Sequence, residues 1–336
     1  MKKLNFKLAA CASMLVAAFT VNASDYSNVY VFGDSLSDNG NLHALAPEQT
    51  YGERFTNGPV AVEIVAGALG HALTPSYHLA GGTEGNNFAI AGAKAVDEDG
   101  DETTPDINLP TQVNAFLAIN GGVAPSDALY IMLIGGNDIR AAREIRSAAV
   151  FAATPEERQA IRQAANESLN VAVASEQAQL LKLIAAGAQN ILVSNAPDIG
   201  AIPETDLVAA GLLANAQTNR QIRKATRLPQ VTTKLSSKYN RKLARKLART
   251  EHQTGVDIIE YDLFGFLTDQ VDNAEDYGYT NTDEACAYML SGGGALHPEC
   301  DGYVTATGFL FYDEIHPTTQ AHQAAGAEIV SELLAQ

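Results

Sequence analysis

Short, continuous apolar runs alternate along this chain with longer stretches in which apolar residues recur every three to four positions. The short runs contain few charges and many β-branched or aliphatic residues, which is typical of strands buried on both faces of a sheet. They cover residues 29–32, 128–134, 191–194 and 256–261, and a further short strand is predicted to end near Ala89.

Helical spacing fills the intervals between these runs. The predicted helices cover residues 60–69, 110–119, 155–186 and 318–334. The longest one has Thr154 and Pro155 as a suitable cap and first residue, and Gly187 as a stop signal. Strands that alternate with helices favour an α/β fold, a three-layer α/β/α sandwich around a mostly parallel central sheet.

Polar residues follow the predicted strands at one end of the sheet. Ser35 comes directly after the first strand, Gly92 follows the short second one, and Asn137 follows the run at 128–134. His316 precedes the last helix. Ligands bind at the carboxyl edge of an open parallel sheet. A serine there can act as a nucleophile when a histidine and an acid reach it, so the pattern indicates serine hydrolase chemistry.

Several segments in chain order carry a resemblance to a known family. They are Phe32-Gly33-Asp34-Ser35-Leu36-Ser37-Asp38 with Gly40-Asn41, Asn87-Phe88-Ala89-Ile90-Ala91-Gly92-Ala93, Gly135-Gly136-Asn137-Asp138, the stretch from Asp313 to Thr318, and a weaker one, Phe55-Thr56-Asn57-Gly58. The chain resembles the GDSL lipase/esterase family, also called the SGNH hydrolases, and within it an exported bacterial member of the lipase-like branch. The resemblance implies the flavodoxin-like SGNH hydrolase fold. The Gly-x-Ser-x-Gly elbow of the α/β-hydrolases is absent around Ser35.

The same resemblance implies the roles of five residues. Ser35 would be the nucleophile, His316 the base and acid, and Asp313 the carboxylate that orients the imidazole. The oxyanion would be held by the backbone N–H groups of Ser35 and Gly92 and by the side-chain amide of Asn137. Glycine permits a close approach and unusual dihedral angles, and asparagine supplies a neutral donor.

Three other polar residues could be mistaken for catalytic groups. His297 is also followed by a proline, but Gly294 stands where an acid would be needed, so we interpret it as a loop histidine. Asp34 and Asp38 flank Ser35, and we interpret them as turn residues that accept hydrogen bonds from nearby backbone N–H groups.

The expected reaction is hydrolysis of carboxylic esters, either acyl esters or lipids, through an acyl-enzyme on Ser35. The same set of residues would serve an acyltransferase, a phospholipase or a polysaccharide O-deacetylase. A non-catalytic exported binding module is the alternative in another class. We expect no cofactor and no metal: the acidic segment 97–102 lacks the spacing of an EF-hand loop, and no Cys-x-x-Cys or His-Glu-x-x-His pattern occurs.

The first 23 residues have the organisation of a signal peptide. Lys2, Lys3 and Lys7 precede an apolar stretch from residue 8 to residue 21, and Ala23 offers a cleavage position. Cys11 falls within a short lipoprotein-like pattern, but it comes too soon after Lys7 and we interpret it as an ordinary signal-peptide residue. We therefore expect an exported protein, periplasmic or secreted, with one domain over residues 24–336 and an oligomeric state that is left open.

Charge is distributed unevenly along the chain. The formal net charge is −17, which argues against nucleic acid as a partner. Against this background, residues 220–249 contain eleven lysines and arginines and no acid. A solvated helix face is the favoured interpretation, and weak contact with anionic lipid is the alternative.

Two cysteines, Cys286 and Cys300, follow the predicted signal peptide, and an even number in an exported protein predicts a disulfide. Closing a loop of about 15 residues stabilises by about 3 kcal/mol in the chain-entropy model. Both cysteines lie in a segment from about residue 262 to residue 310 that is rich in glycine and acids. We expect an irregular insertion there, a wall or lid beside the active site, or alternatively a surface excursion without contact to substrate.

Overall fold

The computed structural model describes residues 26–97, 100 and 105–335. The predicted signal peptide and most of the acidic segment 97–102 lie outside the described residues. The strands are β1 (Val29–Gly33), β2 (Leu129–Leu133), β3 (Asn190–Ser194), β4 (Ile258–Tyr261), β5 (Asn281–Ala285), β6 (Ala287–Tyr288), β7 (Ala295–Leu296) and β8 (Phe309–Phe311). The α-helices are α1 (Asn41–Leu45), α2 (Ala61–Ala68), α3 (Leu109–Ile119), α4 (Gly136–Ser147), α5 (Pro155–Ala186), α6 (Pro203–Ala214), α7 (Asn219–Thr226), α8 (Leu228–Thr254), α9 (Leu263–Asp272), α10 (Ala274–Tyr277) and α11 (Thr319–Leu334).

The main sheet contains β1 to β4 in chain order, and every pair is parallel. The predicted strand near Ala89 is not a regular strand. Residues 86–90 instead form an extended edge beside β1, in which Val31 N donates to Asn86 O (2.9 Å) and Phe88 N donates to Val31 O (2.8 Å). When this edge is counted as the second strand in chain order, β2, β3 and β4 become the third, fourth and fifth. The strands of the sheet then lie in the order 2-1-3-4-5, which is the flavodoxin-like order.

Helices cover both faces of this sheet, which confirms the predicted three-layer α/β/α architecture. One apolar cluster joins the sheet to α3, α4, α5 and α8, and a second joins it to α2, α9 and α11. The predicted bounds of α5 are correct: Thr154 Oγ1 accepts from Glu157 N (3.1 Å), and Gly187 ends the helix at φ 123°. The short apolar runs therefore form strands that the helices cover on both faces of the sheet. Because β1 and β2 are parallel neighbours, their carboxyl ends lie side by side.

The segment 262–310 is more regular than the sequence predicted. Its first part is α9, whose Phe266 and Leu267 are buried against the sheet layers. The expectation of an irregular stretch is wrong for α9 because its apolar residues are needed to cover the sheet. After α10, the chain forms a small parallel pair, β5 with β8, and a two-residue antiparallel pair, β6 with β7.

Candidate active site

The turn that carries Ser35 begins where β1 ends. A side chain at Gly33 would place its Cβ 2.3 Å from Leu133 O, so only glycine allows β1 and β2 to approach this closely. Asp34 Oδ1 then accepts from Leu36 N (3.0 Å), and Asp34 O accepts from Asp38 N (3.0 Å). These bonds close the chain into a tight turn that leaves Ser35 at the carboxyl edge of the sheet.

Asp38 holds this turn against the neighbouring loop. Its carboxylate accepts from Asn41 N (2.7 Å) at the start of α1, and from Ala91 N (2.8 Å). Burial raises the pKa of Asp38, and the backbone hydrogen bonds act against that rise. The expected turn-stabilising role of Asp38 is therefore seen in the contacts. The bond to Ala91 adds a link between the Ser35 turn and the Gly92 turn that the sequence did not reveal.

Ser35, His316 and Asp313 form a continuous hydrogen-bonded array, although they are far apart in the sequence. Ser35 Oγ lies 2.7 Å from His316 Nε2. On the other side of the ring, His316 Nδ1 lies 2.7 Å from Asp313 Oδ2. All three residues are buried or nearly so, and Asp313 has no exposed surface. The structure thus brings together the serine, histidine and acid that the sequence singled out.

The carboxylate of Asp313 is fixed from several directions. Its Oδ1 accepts from the backbone N–H groups of Ile315 (2.8 Å) and His316 (2.7 Å). The hydroxyl of Tyr51 donates to Oδ2. Burial alone would raise the pKa of Asp313, but the charge and hydrogen bond of His316 and the Tyr51 hydroxyl outweigh it and lower the pKa. Asp313 therefore stays ionised beside the imidazole.

Tyr51 was missed by the sequence reasoning. It sits 262 positions before Asp313, and no local pattern marks it. Burial, followed by the negative charge of Asp313, raises the pKa of Tyr51 well above its ordinary value, so the hydroxyl keeps its proton and remains a donor. Tyr51 also packs edge-on against Phe55, whose ring lies 5.3 Å from that of His316.

The segment Phe55-Thr56-Asn57-Gly58 secures the loop that carries His316. Thr56 Oγ1 donates to Pro317 O (2.8 Å), and Asn57 Oδ1 accepts from Thr319 N (2.8 Å) at the start of α11. A Cβ at position 58 would lie 2.8–3.1 Å from the side chain of Thr319. This weaker sequence match therefore has a positional function, because it fixes where α11 begins.

Gly92 and Asn137 flank the same edge. Gly92 has φ 85°, which favours glycine. Within the described residues, neither Ser35 N nor Gly92 N donates a hydrogen bond to a protein acceptor. Asn137 Nδ2 donates to Ala93 O (2.9 Å), which leaves one amide proton free, and Asn137 Oδ1 accepts from Arg140 Nη1 (2.8 Å). The amide orientation is therefore fixed by its neighbours.

Arg140 is in turn held by Glu204, to whose Oε2 its Nε donates (2.8 Å). Burial alone would raise the pKa of Glu204, but Arg140 and Arg143 outweigh it and lower that pKa. The sequence reasoning did not find this support. Helical geometry could have suggested part of it, since residues three apart on a helix are neighbours and Arg140 follows Asn137 by three positions on α4.

A pocket of about 820 Å³, measured out to its open mouth, begins at Ser35, Asn137 and His316. It extends between the sheet edge, α9 and α11, and most of its lining is apolar. The apolar lining residues are Leu36, Ala61, Leu133, Pro197, Ile199, Ile202, Leu263, Phe266, Leu267, Phe311, Ile315, Pro317, Ala321, Ala325 and Ile329. His322 interrupts this surface, but burial lowers its pKa to about 3, so its ring is neutral. Asp34 and Arg140 also line the pocket, at the end where Ser35 and Asn137 lie, so the remainder of the pocket suits an uncharged aliphatic group.

Sequence comparison agrees with this geometry. A sequence model of the family described as "GDSL-like Lipase/Acylhydrolase" matches residues 29–329. The chain belongs to this family. The predicted resemblance to GDSL lipases and esterases is confirmed, and the residues discussed above lie within the matched range.

Individual relatives are distant. A protein named Lipase 1 from Photorhabdus luminescens is 28% identical over 93% of the chain, which spans about half (51%) of that relative's length. A GDSL esterase/lipase of Arabidopsis thaliana is 27% identical over 90% of this chain and 86% of that relative's length. A phosphatidylcholine-sterol acyltransferase of Aeromonas hydrophila is 24% identical over 92% of each. The solved extracellular lipase of Streptomyces rimosus aligns with a TM-score of 0.37 and 15% identity, over 92% of this chain and 99% of that one.

In this GDSL family member, the 313–318 loop is supported from behind by the segment that carries the disulfide. Cys286 and Cys300 are bonded, with their Cα atoms 5.1 Å apart. The buried carboxylate of Glu314 accepts from Leu290 N (3.0 Å) and from Ser291 N (2.8 Å). None of the described residues 273–310 lines the pocket. Residues 273–310 thus support the loop, and within the segment 262–310 only α9 contributes to the pocket wall.

His297 belongs to this supporting segment. Its Nε2 lies 2.9 Å from Glu284 Oε2, its Nδ1 accepts from Glu299 N (3.2 Å), and its ring packs against Phe309. Both ring nitrogens are occupied by these local partners. The contacts agree with the interpretation of His297 as a loop histidine.

Two buried carboxyl groups lie beneath the site. Asp138 Oδ2 accepts from Ala95 N (2.9 Å), and burial raises the pKa of Asp138 to about 7. Glu176 Oε2 accepts from the Tyr239 hydroxyl (2.5 Å), and burial raises the pKa of Glu176 to about 8. The ring of Tyr239 fills the space where a Cβ at Gly135 would be. These groups support the Gly135–Asp138 turn.

Within residues 26–97, 100 and 105–335, no helix combines the length and apolar character needed to cross a membrane. In the same ranges, no three histidine, cysteine, aspartate or glutamate side chains are grouped so that they could bind a metal ion.

Proposed function

We propose that this protein hydrolyses carboxylic esters with Ser35 as nucleophile, His316 as base and acid, and Asp313 as the orienting carboxylate. The observation that carries the proposal is the array in which Ser35 Oγ, His316 and Asp313 are joined by two contacts of 2.7 Å. With Nδ1–H donating to Asp313, the neutral ring presents Nε2 as the acceptor for the serine proton.

Acyl transfer to Ser35 then follows from this arrangement. His316 takes the hydroxyl proton as Oγ attacks the carbonyl carbon, and Asp313 stabilises the imidazolium that forms. The tetrahedral intermediate collapses when His316 returns the proton to the departing alcohol. Water, activated by the same imidazole, attacks the acyl-enzyme and releases the acid.

The developing oxyanion requires donors that are oriented before the reaction begins. We assign this role to the backbone N–H groups of Ser35 and Gly92 and to the amide of Asn137. The two backbone groups have no protein acceptor within the described residues. Arg140 fixes the Asn137 amide through its oxygen, so the nitrogen needs little reorganisation.

The apolar pocket supports an aliphatic acyl chain as part of the substrate. Each methylene buried there contributes about 0.8 kcal/mol, so esters of longer acids should react faster than acetates until the pocket is full. A polysaccharide O-deacetylase would not use this volume. Acyl transfer is the second candidate, because the Aeromonas relative is named an acyltransferase and aligns over 92% of both chains; the acyl-enzyme would be the same and the acceptor would differ.

We further propose a single catalytic domain over residues 24–336 that acts in the periplasm or outside the cell after removal of residues 1–23. The disulfide supports export, because such bonds persist in oxidising compartments. The acidic chain supports an ester or lipid substrate over nucleic acid.

The test is reaction with a fluorophosphonate, followed by hydrolysis of p-nitrophenyl esters from acetate to palmitate. Wild-type protein should be labelled on Ser35, and Ser35→Ala should lose both labelling and hydrolysis by several orders of magnitude with unchanged circular dichroism. Ser37→Ala is the matched control, since Ser37 is buried two positions away and its Oγ has no hydrogen-bond partner in the described part of the chain. Labelling that persists in Ser35→Ala would refute the proposal.

A further inference from the structure

A second pocket, of about 510 Å³ measured out to its open mouth, lies where the end of α4 approaches the first turns of α5 and the junction of α7 with α8. Five of the residues that line it are cations: Arg146, Arg158, Arg162, Lys224 and Arg227. We call it the basic pocket. It shares no lining residue with the pocket at Ser35. Along α4, its Arg146 is about 14 Å from Asn137, at 1.5 Å of rise per residue.

The cations of the basic pocket are not neutralised by the protein. Within residues 26–97, 100 and 105–335, no ion pair with an acidic side chain involves a residue of the basic pocket. The whole chain has 39 acidic and only 22 basic residues. Five unpaired cations in one pocket are therefore not a consequence of composition.

Helix capping accounts for only part of the cluster. Lys224 Nζ donates to Ala149 O (2.8 Å), and Arg158 Nη1 donates to Ala152 O (3.1 Å). Both side chains therefore satisfy backbone carbonyl groups in the residues that directly follow α4. In the part of the chain that the structure describes, the guanidinium groups of Arg146, Arg162 and Arg227 donate no hydrogen bond, whereas the guanidinium of Arg158 and the ammonium of Lys224 do. Three guanidinium groups thus retain their full donor capacity at the pocket.

These groups are close enough to repel one another. Burial, followed by the charges of Arg220 and Arg158, lowers the pKa of Lys224 to about 8. Burial and the charge of Arg162 lower the pKa of Arg146. An anion within the basic pocket would relieve this repulsion. Planar guanidinium groups match the oxygens of phosphate in paired hydrogen bonds, and several of them together favour a multiply charged oxyanion over a single carboxylate.

We propose that the basic pocket is a non-catalytic binding site for the phosphate group of a phosphorylated ligand, with Arg146, Arg162 and Arg227 as its principal donors. The site is independent of the proposed hydrolase reaction. The phosphate could belong to a soluble compound or to the head group of an anionic lipid. Val150, Leu228 and Val231 give the pocket an apolar side, and Phe151 next to it is 41% exposed, which is why both sources enter the test.

The experiment compares two triple variants that lose the same charge. Arg146→Gln/Arg162→Gln/Arg227→Gln removes the proposed donors. Arg241→Gln/Arg245→Gln/Arg249→Gln is the matched control, because these three arginines are exposed on α8 and do not line the basic pocket. Inorganic phosphate is titrated into each protein by calorimetry at constant ionic strength. Vesicles of phosphatidylglycerol or phosphatidylcholine are co-sedimented with each protein in a Ser35→Ala background, so that lipid is not consumed.

Saturable phosphate binding that weakens at least tenfold in the pocket variant and less than twofold in the control would support the site. Sedimentation with phosphatidylglycerol that only the pocket variant loses would support it with a lipid head group as the source. Binding of neither probe by the unsubstituted basic pocket, or equal losses in the two triple variants, would overturn the proposal. If the triple pocket variant does not fold, Arg162→Gln and Arg227→Gln, both at exposed positions, are measured singly against Arg241→Gln.

Discussion

Filling the apolar pocket should change which esters the protein prefers. Ala321, Ala325 and Ile329 line the pocket from successive turns of α11, so Ala325 lies about 5–6 Å beyond Ala321 along the helix axis. Ala325 is buried and faces the pocket with only a methyl group. In Ala325→Phe, a ring would occupy the middle of the pocket and displace the distal part of an acyl chain.

The magnitude follows from the carbon atoms that are displaced. If the ring excludes about three to four methylenes, the loss at about 0.8 kcal/mol each is roughly 3 kcal/mol, or about 100-fold in kcat/KM. The loss should be confined to long esters, since an acetyl group needs only the space next to Ser35. The ratio of kcat/KM for decanoate over acetate should therefore fall about 100-fold.

The assay is the p-nitrophenyl ester series, with Ala327→Phe as the control because Ala327 is exposed on the same helix. Urea denaturation separates a specific effect from overpacking, which typically costs about 1–3 kcal/mol of stability. An unchanged decanoate-to-acetate ratio in a folded Ala325→Phe protein would refute the reasoning. So would an equal loss on every ester, because either result means that the acyl chain does not enter between α9 and α11.

Three other predictions concern the array and its surroundings. His316→Ala should lose hydrolysis by several orders of magnitude while His297→Ala retains it, because Glu284 and not the array holds His297; initial rates decide, and the reverse result would contradict the assignment. The pKa of Glu176 is raised from 4.5 to about 8, so the folded state holds a proton that the unfolded state releases, and stability should fall as the pH rises through that window. In urea titrations, Glu176→Gln should gain about 2–3 kcal/mol over wild type between pH 5 and pH 7, and a difference that does not vary with pH would count against the burial argument. Reduction of the disulfide should lower kcat with little change in far-ultraviolet circular dichroism, and undiminished turnover after complete reduction would show that the 313–318 loop stands without that support.

The sheet and its edge could be predicted because their signals are local. Short apolar runs predict β1 to β4. Because these strands are parallel, the residues that follow them must lie at the same edge of the sheet. The extended edge at 86–90 was predicted as a strand because its apolar residues resemble one, but its pairing with β1 is limited to a few hydrogen bonds. Helix α9 was missed because glycine, acids and tyrosines further along the same segment masked a ten-residue amphipathic helix.

Supporting residues of the site were hidden for a different reason. Tyr51 and Asp313 are brought together by the whole fold, and no spacing in the sequence records their contact. Glu314 directly follows Asp313 in the sequence, yet its carboxylate accepts hydrogen bonds from Leu290 N and Ser291 N in the disulfide-bearing segment. The proposed catalytic residues lie in recognisable sequence motifs, whereas the residues that hold them in position are found only from contacts in the folded structure.

The support that the disulfide-bearing segment gives to the 313–318 loop has a consequence for when the protein becomes active. The loop that carries Asp313 and His316 rests, through Glu314, on a segment closed by Cys286 and Cys300. Disulfides are rare in the reducing interior of cells, and without the bond the 313–318 loop would lack this support. For the proposed esterase, we therefore expect low activity before the disulfide forms. With the proposed export, formation of the bond in an oxidising compartment would complete the support of the loop that carries Asp313 and His316.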